Sequence, residues 1–305
     1  MHAWESIQKT LNWIEGNIGE EIQIDKLAEV AALSLFYYQR LFARLVKKPV
    51  KEYIKLRRLA HASKDLQREG GLITDISIKY GFANRETFSR AFKETYGFPP
   101  SKYRDSRIDV SHFDKPDLLL NYITIDEGVP LISDGIVLEM NRKFSENTLS
   151  FLGVARYMYF ERGKMFGERP GVSAPSKIWD ELFQNINKVS RSLNSRLIGV
   201  CYKGDAPEGY TTYFAGVEVE QSVKSPDFTK WQLPAREYAV CGFEAESFDE
   251  LVGPALGKAM KYTRFWLKKR GWIADGFFVE MYYQQSSKTP YMELWIPFKK
   301  RENIN

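Results

Sequence analysis

The sequence predicts an all-α N-terminal domain with two helix-turn-helix units joined by a linker helix, followed by an α+β C-terminal domain with duplicated β-α-β-β halves and antiparallel sheets. Three observations predict this. A stretch starting at Ile24 recurs about 50 residues later. The basic excess is confined to the first third: residues 1–108 carry 19 Lys+Arg against 13 Asp+Glu, whereas 109–305 carry 25 against 26. Beyond residue 121, helical spacing gives way to short runs of β-branched and aromatic residues.

The chain has 305 residues, 44% hydrophobic and 27% charged. That length suits two domains, at roughly 100–200 residues each. No run of 18 uncharged apolar residues occurs, and Met1–Gln8 lacks the basic flank and apolar run of a secretory leader. Cys201 and Cys241 are too few for a disulfide framework or a metal cluster, and read as buried apolar residues. His2, His61 and His112 lack ligand spacing, and no phosphate-cradling glycine loop or nucleophile motif is present. A cytoplasmic, cofactor-free, metal-free and non-enzymatic protein is the expectation.

Each copy of the repeat reads as helix, tight turn, helix. Leu27 and Ala28 answer Ile76 and Ser77, Ala32 answers Gly81, and Arg40 and Phe42 answer Arg90 and Phe92. A small residue at each turn, Ala32 or Gly81, lets two helices approach. Ser34 and Asn84 are placed to cap the second helices. Tyr38, Leu41, Phe42 and Leu45 form one apolar stripe, and Phe88, Ala91 and Phe92 another. The opposite stripes are polar: Gln39, Arg40 and Ala43, then Arg85, Glu86, Ser89 and Arg90. Trp4, Ile7, Leu11 and Ile14 predict a leading helix. Pro49 opens a long connector carrying Tyr53, Ile54, Ala60 and Leu66 on one face and Lys51, Lys55, Arg57 and Arg58 on the other. Gly70-Gly71 ends it.

A helix fits the major groove, and two coupled reading helices reach neighbouring turns about 34 Å apart. A double-stranded DNA operator is therefore the expected partner. One chain then reads an asymmetric site as a monomer or weak dimer. Lys51, Lys55 and Arg57, with Lys79, Lys93 and Lys102, are candidate phosphate contacts, which position without specifying. A helical bundle that docks another protein is the competing reading. The run Asp75-Ile-Ser-Ile-Lys-Tyr-Gly-Phe82, then Phe88-Ser-Arg-Ala-Phe-Lys93, then Tyr96-Gly-Phe-Pro-Pro-Ser-Lys-Tyr-Arg104 resembles the DNA-binding domain of AraC/XylS-type regulators, over about residues 5–107. The resemblance implies base reading by Phe36, Gln39 and Arg40 in the first unit and by Arg85, Glu86, Thr87 and Arg90 in the second. Arg85 and Glu86 stand where relatives often carry other polar residues, so no operator sequence is implied.

Residues 109–121, with Asp109, Ser111, Asp114, Lys115 and Pro116, read as a linker between domains 1–108 and 122–305. Strands are predicted at 135–140, 149–157, 197–202, 210–219, 237–243, 277–283 and 292–296. Helices are predicted around Ile178–Ile186 and Leu256–Leu267. The order strand, helix, strand, strand occurs twice, which implies pseudo-twofold halves with a ligand cleft between them. The runs Arg236-Glu-Tyr-Ala-Val240, Gly271-Trp-Ile-Ala-Asp-Gly-Phe-Phe-Val-Glu-Met-Tyr282 and Glu293-Leu-Trp-Ile-Pro297 resemble GyrI-like effector-binding domains. Head and tail together look like the Rob subgroup of regulators. That implies an activator that contacts RNA polymerase and whose tail binds a small amphipathic, cationic or aromatic effector. The strand Tyr238–Glu244 lacks the His-containing ending of many relatives, which leaves the ligand class open.

Strand alternation places Val279 and Met281 on one face and Phe278, Glu280 and Tyr282 on the other. On the last strand it separates Leu294 and Ile296 from Tyr291, Glu293 and Trp295. With apolar residues facing the helices, both carboxylates fall among rings on the opposite face, a setting that suits an organic cation. Glu280 is the first candidate acid, to which the resemblance also points, and Glu293 the second. Tyr282, Trp295, Tyr238 and Tyr157 are candidate walls. Two alternatives remain open: a small-molecule hydrolase using Glu280 and a Tyr, which the resemblance to GyrI-like domains also implies, and a protein-docking module.

Overall fold

The structure, a computed structural model, describes residues 3–67, 72–105, 108, 110–121, 123–133, 136–159, 171–172, 174–189, 195–283 and 290–301. The predicted Gly70-Gly71 stop lies outside them. The chain divides into a helical unit, Met1–Tyr122 with Gly167–Val172, and a sheet unit, Ile123–Phe166 with Ser173–Asn305. Among the described residues, no helix is long and apolar enough to cross a membrane.

The helical unit contains α1 (Ala3–Gly16), α2 (Ile24–Val30), α3 (Leu35–Val46), α4 (Val50–Leu66), α5 (Ile73–Lys79), α6 (Arg85–Tyr96) and α7 (Pro100–Asp105). The pairs α2–α3 and α5–α6 repeat one geometry to the level of single bonds. At the turns, Ala32 has φ 54° and Gly81 φ 67°, the left-handed region that reverses a chain tightly. In each copy the next N–H donates five residues back, Leu33 to the Ala28 carbonyl and Phe82 to the Ser77 carbonyl, both at 3.0 Å. Ser34 then accepts from the Tyr37 N–H and Asn84 from the Thr87 N–H, capping α3 and α6. The predicted apolar stripes bury Tyr38 and Phe42, and Phe88, Ala91 and Phe92; Leu41 and Leu45 are partly buried at the margin. Phe42 meets Tyr53 of α4 edge-on at 5.5 Å, which ties the first unit to the connector.

Of the predicted linker 109–121, residues 110–121 are described, and they do not hang free. Val110, Phe113 and Leu118 join the helical core. β1 (Val110–Ser111) pairs antiparallel with Gly171–Val172. Gln8 accepts from the Leu118 N–H at 2.8 Å, and Lys115 donates to Asn12 at 3.0 Å. Composition misleads here: the apolar residues that anchor this strap are spaced among Asp, Ser and Lys, with no helical or strand period.

The sheet unit contains β2 (Pro130–Ser133), β3 (Ile136–Phe144), β4 (Leu149–Tyr159), α8 (Ala174–Asn185), β6 (Leu197–Tyr202), β7 (Tyr210–Val219), β8 (Thr229–Leu233), β9 (Glu237–Glu244), α9 (Phe248–Glu250), α10 (Leu256–Lys269), β10 (Trp272–Ala274), β11 (Phe277–Tyr282) and β12 (Tyr291–Lys300). The strand Gly171–Val172 is β5. A wide π turn, Leu251–Ala255 with Pro254, leads α9 into α10. Among the described residues, these strands form one antiparallel sheet in the order β2-β3-β9-β12-β11-β6-β7-β4-β8, with β10 on β12. Both predicted halves keep the same spatial order of first, third and second strand: β4-β7-β6 and β9-β12-β11. They are fused rather than packed as separate sheets, because β11 and β6 pair along Phe277–Tyr282. The helices α8 and α10 cover one face, where Trp179 donates to the Tyr213 hydroxyl and Thr263 meets Met140.

Candidate functional site

On α3, Phe36, Gln39 and Arg40 are exposed, and on α6 so are Arg85, Glu86, Thr87 and Arg90. Each set lies opposite the buried stripe of its own helix, free for an outside partner. The Arg40 guanidinium sits 5.4 Å from the Phe36 ring, and Phe36 meets Tyr37 edge-on at 5.6 Å. Tyr37 is 65% exposed and extends this patch. Sequence reasoning passed over Tyr37, although it stands one residue after Phe36 in the first turn.

The connector's basic residues divide into two groups. Lys51 and Lys55 are exposed and border a concavity of about 410 Å³ with Arg58, Gly81 and Phe82. Arg57, expected as a phosphate contact, is instead turned inward, its side chain only 13% exposed. Its Nε and Nη2 donate to Glu15 at 2.8 and 2.9 Å, and its Nη1 donates to the Phe113 carbonyl at 2.6 Å. Glu15 also accepts from the Tyr53 hydroxyl and lies 3.0 Å from His61 Nε2. Burial alone would raise the Glu15 carboxyl, but His61 and Arg57 outweigh it and hold it well below the usual range. Arg57 follows buried Tyr53 by four residues and so shares its face; Lys51, Lys55 and Arg58 share another. Arg58 donates to the carbonyls of Ile18, Glu20 and Gly81, clasping the exit of α1 to the second turn. Lys79 is paired with Asp65.

In the sheet unit, the six predicted ligand residues do not form one site. β11 and β12 pair Glu280 with Leu294 and Val279 with Trp295, so even-numbered positions of both strands share a face. Glu280 and Tyr282 therefore point toward α8, contrary to the expected orientation. Glu293 and Trp295 lie on the opposite face. Tyr238 packs against Trp295 at 5.4 Å and donates its hydroxyl to the Pro234 carbonyl. Tyr157, 52% exposed on β4, pairs with Thr212 and is also away from Glu280.

Glu280 is 2% exposed. One carboxylate oxygen accepts from the Tyr213 and Tyr282 hydroxyls, both at 2.8 Å. Trp179 Nε1 donates to the Tyr213 hydroxyl at 3.1 Å, and its ring meets Tyr282 edge-on at 5.3 Å. Phe183 stacks on Trp179 from α8, and Phe248 of α9 approaches Tyr282 from the other half. Both Phe183 and Phe248 are at least half-exposed, so they form the rim. Gly199 makes the floor: a Cβ there would stand 2.2 Å from the Tyr213 hydroxyl and 2.6 Å from Glu280. Burial pushes the Glu280 carboxyl up, and the two phenols offset this only in part. Among the described residues, no Lys or Arg pairs with it. Alternation along β7 places Tyr213 on the helix face, but no period marks it as a partner of a residue 67 positions away.

Glu293 is 5% exposed and accepts from Lys143, Tyr291, Tyr283 and Trp295 Nε1. Its burial would raise the carboxyl, but the hydrogen bonds from Lys143, Tyr283 and Tyr291 turn the net shift downward. Lys143 and Tyr283 are further residues that sequence reasoning missed.

Comparison with known proteins matches both units. Residues 27–106 match the model of a helix-turn-helix domain family, and residues 161–299 that of the GyrI-like small molecule binding domain. The chain is 39% identical over 104 residues to the uncharacterized HTH-type transcriptional regulator YbfP of Bacillus subtilis, covering 34% of this chain and 35% of that protein. It is 37% identical over 98 residues to the HTH-type transcriptional activator AarP of Providencia stuartii, covering 32% and 73%. It is 31% identical over 121 residues to the transcriptional regulator Rob of Salmonella typhimurium, covering 40% and 42%. The matched region thus spans about a third of YbfP and most of AarP. By these matches the chain belongs to the AraC family of helix-turn-helix regulators and carries a C-terminal GyrI-like domain.

Proposed function

We propose that this chain is a sequence-specific transcription regulator whose sheet unit binds a small aromatic organic cation at Glu280. The observation that carries the ligand reading is a buried carboxylate, held by two phenols, with no cation paired to it among the described residues and rings from both halves around it. A quaternary ammonium would supply the missing charge and stack against Trp179, Tyr282, Phe183 and Phe248. The shared strand order supports reading the two halves as pseudo-twofold relatives that close over this point.

For the helical unit, the exposed polar stripes on capped helices support base reading by Phe36, Gln39, Arg40, Arg85, Glu86, Thr87 and Arg90. Lys51 and Lys55 then contact phosphates. Two reading units on one chain suit a monomer on an asymmetric operator, acting as an activator that contacts RNA polymerase. Titration with benzyltrimethylammonium tests the ligand site. Binding by the parent, weakened at least tenfold in Glu280→Gln, supports the reading; equal binding by both ends it.

A second reading is favoured by one observation. The Tyr213 and Tyr282 hydroxyls reach Glu280, whose carboxyl burial raises, and these are the ingredients of acid–base hydrolysis. Mass spectrometry of a bound ester or amide separates the two, since only a hydrolase turns it over.

A further inference from the structure

The sheet face away from the helices holds a buried acid that the Glu280 reading leaves unused. Glu293 accepts four hydrogen bonds, from Lys143 Nζ at 2.7 Å, Tyr283 at 2.7 Å, and Tyr291 and Trp295 Nε1 at 2.8 Å. The Lys143 ammonium also lies 5.8 Å from the centroid of the Trp295 ring. A carboxylate, phenols and an indole face thus surround an ammonium, the chemistry that captures organic cations. Here the cation belongs to the chain itself.

The two partners differ in freedom. The Glu293 side chain is 7% exposed, whereas that of Lys143 is 42% exposed on a four-carbon stem from β3. Lys143 can swing into solvent without disturbing the sheet, and Glu293 cannot. Beside the pair opens a concavity of about 230 Å³, whose walls include Glu139 and Glu244 as well as Glu293 and Lys143. Among the described residues that line it there are three carboxylates and one lysine, which favours entry of a cation from solvent. Gly242 lets the Tyr291 ring lie close over its strand, since a Cβ there would stand 2.7 Å from the Tyr291 hydroxyl.

We propose that Lys143 is an internal ligand of the Glu293 cage, and that the groove takes a small primary alkylammonium that displaces it. A tethered ammonium competes at high effective concentration. If the cage is free of Lys143 for about a tenth of the time, outside amines bind about tenfold more weakly than the empty cage would allow. Lys143 thereby sets a threshold concentration below which such amines are ignored.

The test is chemical rescue with n-butylammonium, which reproduces the lysine stem and head. In the 305-residue chain, the indole N–H resonance of Trp295 reads this site, and that of Trp179 reads the site at Glu280. In Lys143→Ala, n-butylammonium should shift the Trp295 resonance saturably, at least tenfold more tightly than in the parent, while the Trp179 resonance stays in place. n-Butanol should not do so, nor should n-butylammonium in Lys143→Ala/Glu293→Gln. If Lys143→Ala does not fold, Lys143→Gln keeps part of the stem and replaces the ammonium with an uncharged amide, and the same gain is expected. Equal response of parent and variant, equal binding of n-butanol, or a folded variant without saturation overturns the proposal. Response of Trp179 alone also overturns it, without touching the Glu280 reading.

Discussion

Replacing Arg57 with Ala separates a structural cation from a DNA-contacting one. Arg57 makes two bonds to Glu15, at 2.8 and 2.9 Å, and one to the Phe113 carbonyl at 2.6 Å. The side chains of the pair are only 13% and 18% exposed. Breaking a buried pair from one side costs about 3–5 kcal/mol, because the other charge stays behind. Glu15 would retain Tyr53 and His61, each at 3.0 Å, which favours the lower end, about 3 kcal/mol. At roughly 3 °C per kcal/mol for a unit of this size, the midpoint should fall by about 10 °C. Because the folded Glu15 carboxyl lies below its unfolded value of 4.5, its contribution is complete above that pH and is lost progressively as pH falls below it. The gap between parent and variant should therefore be full at pH 7 and narrow in acid. Circular dichroism melts at both pH values measure this, alongside the salt dependence of DNA binding. Exposed Lys55→Ala should do the reverse, leaving the melt unchanged and flattening the slope of log K against log salt by about 0.9. A parent-like melt for Arg57→Ala, combined with a flatter salt slope, would refute the assignment.

Arg40→Ala should relax preference at one operator position by about 1–3 kcal/mol, as read by selection from a randomised duplex; an unchanged preference removes Arg40 from base reading. Ala32→Gly should stabilise the helical unit by about 1 kcal/mol by relieving φ 54°, whereas Gly81→Ala should cost about 1–2 kcal/mol at φ 67°. Melts that move in the same direction for both would contradict the matched turns. Gly199→Ala should destabilise the sheet unit by about 1–3 kcal/mol and shift the Trp179 indole resonance, because its Cβ lands 2.2 Å from the Tyr213 hydroxyl. Benzyltrimethylammonium should bind the ionised Glu280. Since burial raises that carboxyl, affinity should fall about tenfold per pH unit once the pH drops below its titration. Glu280→Gln should remove this dependence, and a pH-dependent variant would assign the proton elsewhere.

The helical unit was legible because a repeat tests itself. Ala32 and Gly81 align in sequence, and both take the left-handed turn that a tight reversal needs. Ser34 and Asn84 cap as their positions require, and the buried stripes follow 3.6-residue spacing. Two errors came from relying on composition where geometry decides. Arg57 read as surface because it is charged, although its spacing from Tyr53 put it on the inner face. Residues 109–121 read as linker because Asp, Ser and Lys outnumber Val110, Phe113 and Leu118, yet these few apolar side chains suffice to dock the strap. The short strands β2, β8 and β10 were missed for a related reason. Each has at most five residues, and for β8 and β10 the pairing partner, β4 or β12, lies far along the chain.

In the sheet unit, the limit was register rather than pattern. Alternation sorts residues within β11 and within β12, but it says nothing about how the two strands align, and a one-residue slip exchanges faces. The pairing of Glu280 with Leu294 settles this and puts two acids, thirteen positions apart, on opposite sides of one sheet. Burial then treats them alike, whereas their neighbours do not. Lys143 neutralises Glu293, and its carboxyl titrates low. Among the described residues only phenols hydrogen-bond to Glu280, and burial raises its carboxyl. A buried carboxylate without a countercharge is costly to ionise, so it gains most from a cation brought from outside. One with its own lysine gains only the difference between two cations. That difference, invisible until the fold brings Lys143 150 residues forward in the chain, ranks Glu280 above Glu293 as the site where an arriving cation has the larger effect.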